Sequence, residues 1–247
     1  MIHFKEMSDL EAEMCQNISV ILANAIKTKG HATLLLSGGG TPKGLYHLLS
    51  LQKIEWNKIE IGLVDERFVA SNSSYSNAKM IKDILIQNEA ENAKLSEMVL
   101  NIEDYEANCE LVNEEYKKFE CADVVILGMG GDGHTASIFP NDIKSDDCLL
   151  DKSPAILNTT APIYPEQRIT LNRPFIQSAE NTFLLFSGAS KKSIFVFTPS
   201  LIALSAGPFV GSTPKTTLHS LKYFKKYPSL LPISKIEESK PILNISL

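Results

Sequence analysis

The feature that most constrains this chain is a recurring unit: a short, mainly apolar run, a loop rich in glycine or charge, then apolar residues at helical spacing. Residues 32–36 run into Ser37-Gly38-Gly39-Gly40-Thr41-Pro42, with Leu45, Tyr46, Leu48 and Leu49 beyond. Residues 59–64 run into Asp65-Glu66-Arg67 ahead of a helical stretch over 78–86. Residues 123–127 run into Gly128-Met129-Gly130-Gly131-Asp132-Gly133-His134. Apolar runs this short, without alternation, read as strands buried on both faces, and strands interleaved with helices predict a largely parallel sheet covered on either side. The expected fold is α/β: three layers, α/β/α, around a mostly parallel, Rossmann-like sheet.

The remaining pattern agrees. Ser8-Asp9-Leu10-Glu11 reads as a capping box, and Leu10, Met14, Ile18, Leu22 and Ala25 then mark one apolar face of a long first helix closed by Lys27, Lys29 and Gly30. Thr41 is placed to cap the next helix, with Pro42 as its first residue. A polar-rich helix is expected over 103–119, and further strands over 155–159, 169–171 and 182–187. No tandem repeat or low-complexity linker divides the chain, so one domain over 1–247 is expected.

Composition narrows the partners. Lys and Arg total 24 against 29 Asp and Glu, a formal charge of −5, and no cationic block stands out, so nucleic acid is not the expected partner. A small anionic ligand stays compatible, because a pocket can be locally positive. Cys15, Cys109, Cys121 and Cys148 form no CxxC pair and have no His-rich spacing, so neither a metal site nor redox chemistry is expected. The opening Met-Ile-His-Phe-Lys-Glu lacks a basic region followed by an apolar run, which points to the cytoplasm. Residues 193–214 carry no charge, yet Pro199, Gly207, Pro208, Gly211 and Pro214 interrupt them, so no membrane span is expected. Oligomeric state is left open.

In open α/β sheets ligands bind outside the carboxyl ends of the strands, and there the unusual residues fall: 37–41, 65–67, 128–134 and 188–191. The first loop offers unobstructed backbone N–H groups and a helix N-terminus, which suits a phosphate, although no Lys-Ser/Thr follows Gly44 as a Walker A loop requires. Residues 128–133 match GxGxxG, but Pro140 comes soon after and no acid-ended second strand follows, which argues against a dinucleotide site. His134 suits general base work, since an imidazole's ordinary pKa is about 6.5. Arg67 could stabilise an oxyanion, with Asp65 or Glu66 orienting neighbours; Lys191 and Arg168 could meet a phosphate, although Arg168 precedes its expected strand and could lie on the wrong side. No GxSxG elbow supports serine-hydrolase chemistry.

Taken together, Ser37-Gly-Gly-Gly-Thr-Pro42, Val64-Asp-Glu-Arg-Phe-Val69 with Ser76-Asn77, Gly128-Met-Gly-Gly-Asp-Gly-His-Thr-Ala-Ser-Ile-Phe-Pro140, Arg168-Ile-Thr-Leu171 and Gly188-Ala-Ser-Lys191 resemble the 6-phosphogluconolactonase family. Its superfamily also holds glucosamine-6-phosphate deaminases and ribose-5-phosphate isomerases and has the NagB-like fold. Gly40, Ala70 and Gly131 depart from the usual residues, and the match thins beyond Lys191. The resemblance implies cofactor-free hydrolysis of 6-phospho-D-glucono-1,5-lactone to 6-phosphogluconate in the oxidative pentose phosphate pathway. In that chemistry His134 takes a proton from water, Arg67 holds the carbonyl oxygen and Asp132 orients the imidazole. Ser37, Gly38, Gly39, Gly40 and Thr41 cradle the phosphate with Lys191 and Arg168, and Asp65 and Glu66 contact substrate. Two alternatives stand beside it. A deaminase would carry Asp-Gly-His-Ile-Ala-Phe-Asn-Glu-Pro at the third loop, with an acid before the proline. A sugar-phosphate sensor domain would carry an attached helix-turn-helix, and only seven residues precede Ser8.

Overall fold

The computed structural model describes residues 6–140, 142–150, 153–188 and 191, together with the backbone of 2–4, 209–212 and 218–220. Helix α1 (Met7–Lys29) buries Leu10, Met14, Ile18, Leu22 and Ala25, the face its spacing predicts. It closes on Gly30, whose φ of 83° is left-handed and whose N–H donates to the Ile26 carbonyl. The expected capping box does not form. Glu6 takes the N-cap position without a side-chain bond, and the Glu11 carboxylate goes to α2 (Lys43–Ser50), where a Cβ on Gly44 would lie 2.4 Å from it. A tertiary contact therefore takes the group that a local cap needed. Thr41 is likewise one residue outside its expected role, because Pro42, at φ −84°, occupies the N-cap of α2.

Strands β2 (Ala32–Leu36), β3 (Ile59–Leu63), β5 (Lys94–Leu95), β6 (Val124–Gly128), β9 (Thr182–Ser187) and β10 (Phe209–Ser212) run parallel, with β11 (Leu218–Ser220) and β1 (Ile2–Phe4) antiparallel at one edge. The order is β1-β11-β10-β9-β6-β2-β3-β5, and β2 sits centrally with Leu34 between Val124 and Ile61. Every residue of β2 is buried, which explains the mainly apolar run. Helices α1, α2, α3 (Asn77–Ile84) and α4 (Tyr105–Tyr116) complete the α/β arrangement. Trp56, Tyr46, Tyr116 and Phe119 are the largest fully buried side chains. Two of these tie their hydroxyls to the backbone: Tyr46 donates to the Ser37 carbonyl at 2.8 Å, and Tyr116 donates to the Ser96 carbonyl at 2.9 Å.

Two expected strands join a different sheet. β7 (Ile156–Thr160) and β8 (Gln167–Leu171) pair antiparallel with each other and with β4 (Asp65–Arg67), so the triplet predicted as a loop is itself a strand. The six residues between β7 and β8 are too few for the crossover that parallel strands need, whereas a short turn joins an antiparallel pair. In register, Asp65 faces Thr170 and Arg67 faces Arg168. Among the described residues no helix is long and apolar enough to cross a membrane. The uncharged segment 193–214 lies outside the described residues except for 209–212, whose backbone forms β10.

Candidate active site

The ends of β2, β6 and β9 and the side of the small sheet line an open cleft of about 180 Å³. It is lined by Ser37, Gly38, Gly39, Gly40, Thr41, Asp65, Arg67, His134, Arg168 and Lys191, with Asn77 and residues 128–130 completing the wall. Loops that the chain separates by more than a hundred residues thus converge on one cavity.

The third loop is built around its glycines. The Gly130 N–H donates to the His134 carbonyl at 2.8 Å, and Gly133 takes φ 90° to close the turn. A Cβ on Gly130 would lie 2.2 Å from the His134 ring, so only glycine lets the imidazole fold back over the loop. Asp132 Oδ1 accepts from the His134 backbone N–H at 3.1 Å and meets Nδ1 at 2.5 Å. Partial burial pushes the Asp132 carboxyl up, but the hydrogen bonds from His134 and the imidazole charge outweigh it and hold it below the usual carboxylate range. With Nδ1 engaged, Nε2 is the nitrogen left for a ligand, and a base that reaches the cleft through Nε2 is what an orienting carboxylate prepares. Of the carboxylates weighed from the sequence, Asp132 is the one that contacts His134. The Phe139 ring packs against the imidazole, centroids 4.7 Å apart, and lies under the Arg168 guanidinium at 5.8 Å.

The cationic side is equally defined. Arg67 and Arg168 are directly opposite across β4 and β8, an arrangement in which like charges repel. Burial and the neighbouring Arg67 push the Arg168 pKa down from its ordinary value. Arg67 Nη1 donates to the Tyr75 carbonyl at 2.5 Å and Arg168 Nε to the Pro165 carbonyl at 2.7 Å, while Arg67 Nε is buried without a partner among the described residues. Lys191 Nζ donates to the Met129 carbonyl at 2.7 Å. Ser37 Oγ is also buried with no partner among the described residues. Unmet donors and facing cations call for an oxygen-rich anion. Arg168 is on the cleft side of its strand, which corrects the concern that it precedes the strand: β8 begins at Gln167.

Glu66 does not reach the cleft. The residue is 1% exposed, and its carboxylate accepts from the Arg67, Asn77 and Ala78 backbone N–H groups at 2.7, 2.8 and 2.8 Å and from Ser76 Oγ at 3.0 Å. Burial pushes its pKa up, partly offset by these bonds. It anchors the start of α3, and so presents Asn77, a wall residue that the sequence motifs included without a role. Asn77 Nδ2 donates to the Asp65 carbonyl at 2.9 Å, and its side chain fills the space that a Cβ on Gly38 would need. The signal was present in the Ser76 cap, but the tie to Asp65 exists only in three dimensions.

A largely parallel α/β sheet with a glycine turn, facing cations and an aspartate-bonded histidine gathered at its strand ends has the form of an enzyme site. The chain belongs to the family described as glucosamine-6-phosphate isomerases/6-phosphogluconolactonase, whose model matches residues 5–198. It is 33% identical over 193 residues to the 6-phosphogluconolactonase of Rhizobium meliloti, spanning 77% of this chain and 83% of that one. It is also 33% identical over 194 residues to that of Neisseria meningitidis serogroup B, with 74% and 83% covered. The crystal structure of a 6-phosphogluconolactonase from Shewanella baltica superposes with a TM-score of 0.79 at 31% identity, covering 85% of this chain and 95% of that one. The Thermotoga maritima 6-phosphogluconolactonase gives 0.69 at 26%, covering 82% and 94%.

Proposed function

We propose that this protein hydrolyses 6-phospho-D-glucono-1,5-lactone to 6-phosphogluconate. The observation that carries the reading is the single cleft that holds the Asp132-backed His134 together with Arg67, Arg168, Lys191 and the glycine turn. His134 Nε2 takes a proton from water as it attacks the lactone carbonyl, and returns it to the departing ring oxygen. Arg67 stabilises the developing oxyanion, and Asp65 accepts from a sugar hydroxyl. The phosphate rests on residues 37–41 with Arg168 and Lys191. A freely diffusing phosphorylated substrate agrees with work in the cytoplasm. Against the deaminase alternative, the residue before Pro140 is Phe139, an aromatic packed on His134 where an acid would be needed. Relatives over most of the chain bear the lactonase name, which favours an enzyme over a sensor domain.

The test is acid release from freshly prepared lactone with the spontaneous rate subtracted. The parent protein accelerates it, and His134→Ala lowers kcat by roughly 100-fold or more, the usual scale for losing a general base. Ammonia release from glucosamine 6-phosphate, with no effect on the lactone, would reverse the assignment.

A further inference from the structure

Ser137 follows the site loop, and the reaction above does not use it. Its side chain is fully buried, and its hydroxyl donates to Asp65 Oδ2 at 2.5 Å. Its backbone is tied as firmly: the N–H donates to Thr170 Oγ1 at 3.1 Å, and the carbonyl accepts from Thr159 Oγ1 at 2.6 Å. One residue thereby docks on all three strands of the small sheet.

The contact settles a charge problem. Asp65 and Arg67 are two apart on β4 and share a face, and Arg168 stands opposite Arg67. A carboxylate beside two guanidiniums is drawn into a bidentate pair with one of them, which would cancel the positive charge that a phosphate needs. Asp65 is instead held by a neutral hydroxyl, while the arginines donate to the Tyr75 and Pro165 carbonyls. Among the described residues no hydrogen bond reaches its other oxygen, Oδ1. We propose that Ser137 is a positioning residue that keeps Asp65 apart from Arg67 and Arg168, so that the cleft offers a ligand two cations and a separate acceptor.

This rests on reading the cleft as an anion site, and calorimetric titration of the full chain with inorganic phosphate separates the two. Ser137→Ala, and Ser137→Cys as a near-isosteric variant with a poor donor, weaken phosphate about tenfold or more, the scale of one charge-assisted hydrogen bond. Ser137→Thr, which keeps the hydroxyl, stays within about threefold of the parent. Adding Asp65→Asn to Ser137→Ala restores phosphate binding to that of Asp65→Asn alone, a rescue that lost packing would not produce. In the lactone assay Ser137→Ala raises KM and lowers kcat, because Asp65 then engages the arginines that hold the phosphate and the oxyanion, while Ser137→Thr changes neither by more than about threefold. If the parent binds phosphate and the Ala and Cys variants bind it equally well, the proposal is wrong. If the parent binds none, the anion reading falls and takes the proposal with it.

Discussion

At the scale of single residues, the site depends on one close approach and one short hydrogen bond. Gly130 leaves room for the His134 ring, so Gly130→Ala must push the imidazole out of place. The expected result is a loss of at least about tenfold in kcat, with the thermal midpoint changed little because the loop is at the surface. Unchanged kinetics would mean that the ring is not confined by this loop. The Asp132 partnership carries a pH signature. A carboxyl held below its ordinary value stabilises the fold above that value, and the contribution disappears as pH falls through the lowered one. Asp132→Asn therefore lowers the thermal midpoint at neutral pH, and the gap to the parent closes as pH drops below 3.8, the ordinary value for aspartate. A gap that is constant with pH would assign the loss to packing.

At the scale of elements, β4 is where the chain turns from scaffold to site. Alternate residues of this short strand face different ways: Asp65 and Arg67 face the cleft, and Glu66 turns inward to the start of α3. The triplet's importance was legible in the sequence, but the division of labour was not, because adjacency in sequence does not say which way a side chain points until the strand is paired. Each Glu66 oxygen accepts from two donors, which a carboxylate can do and an amide nitrogen cannot. Glu66→Gln should cost about 2 kcal/mol or more, from buried donors left facing an NH2 group. Urea unfolding checks it: a midpoint equal to the parent's would show that the amide is accommodated. Phe139 illustrates the same point for the third loop, since its place before Pro140 was visible but its contact with both His134 and Arg168 was not.

At the scale of the whole molecule, the two sheets share one buried core, and the thiols report on its integrity. Cys15 and Cys148 are buried and Cys109 is half-buried, with burial pushing Cys109 and Cys148 up to about 12; Cys121 is exposed. Only thiolates react quickly with a disulfide reagent. One thiol should react rapidly in the native protein and all four after denaturation. Fast reaction of more than one native thiol would reveal local opening around Cys15 on α1, Cys109 on α4 or Cys148.

Local physics made much of this protein readable. Short, mainly apolar runs announced the doubly covered strands, the helical spacing of Leu10 to Ala25 announced the buried face of α1, and glycine turns after strands announced where a ligand could bind. Other features depended on partners far along the chain. The capping box lost Glu11 to Gly44, the strands at 156–160 and 167–171 left the parallel sheet for β4, and Arg168 turned toward the cleft because it pairs opposite Arg67. Periodicity reports how a residue is buried by its own element. Which charges meet, and which are kept apart, is set by contacts between elements, and those exist only once the chain has folded.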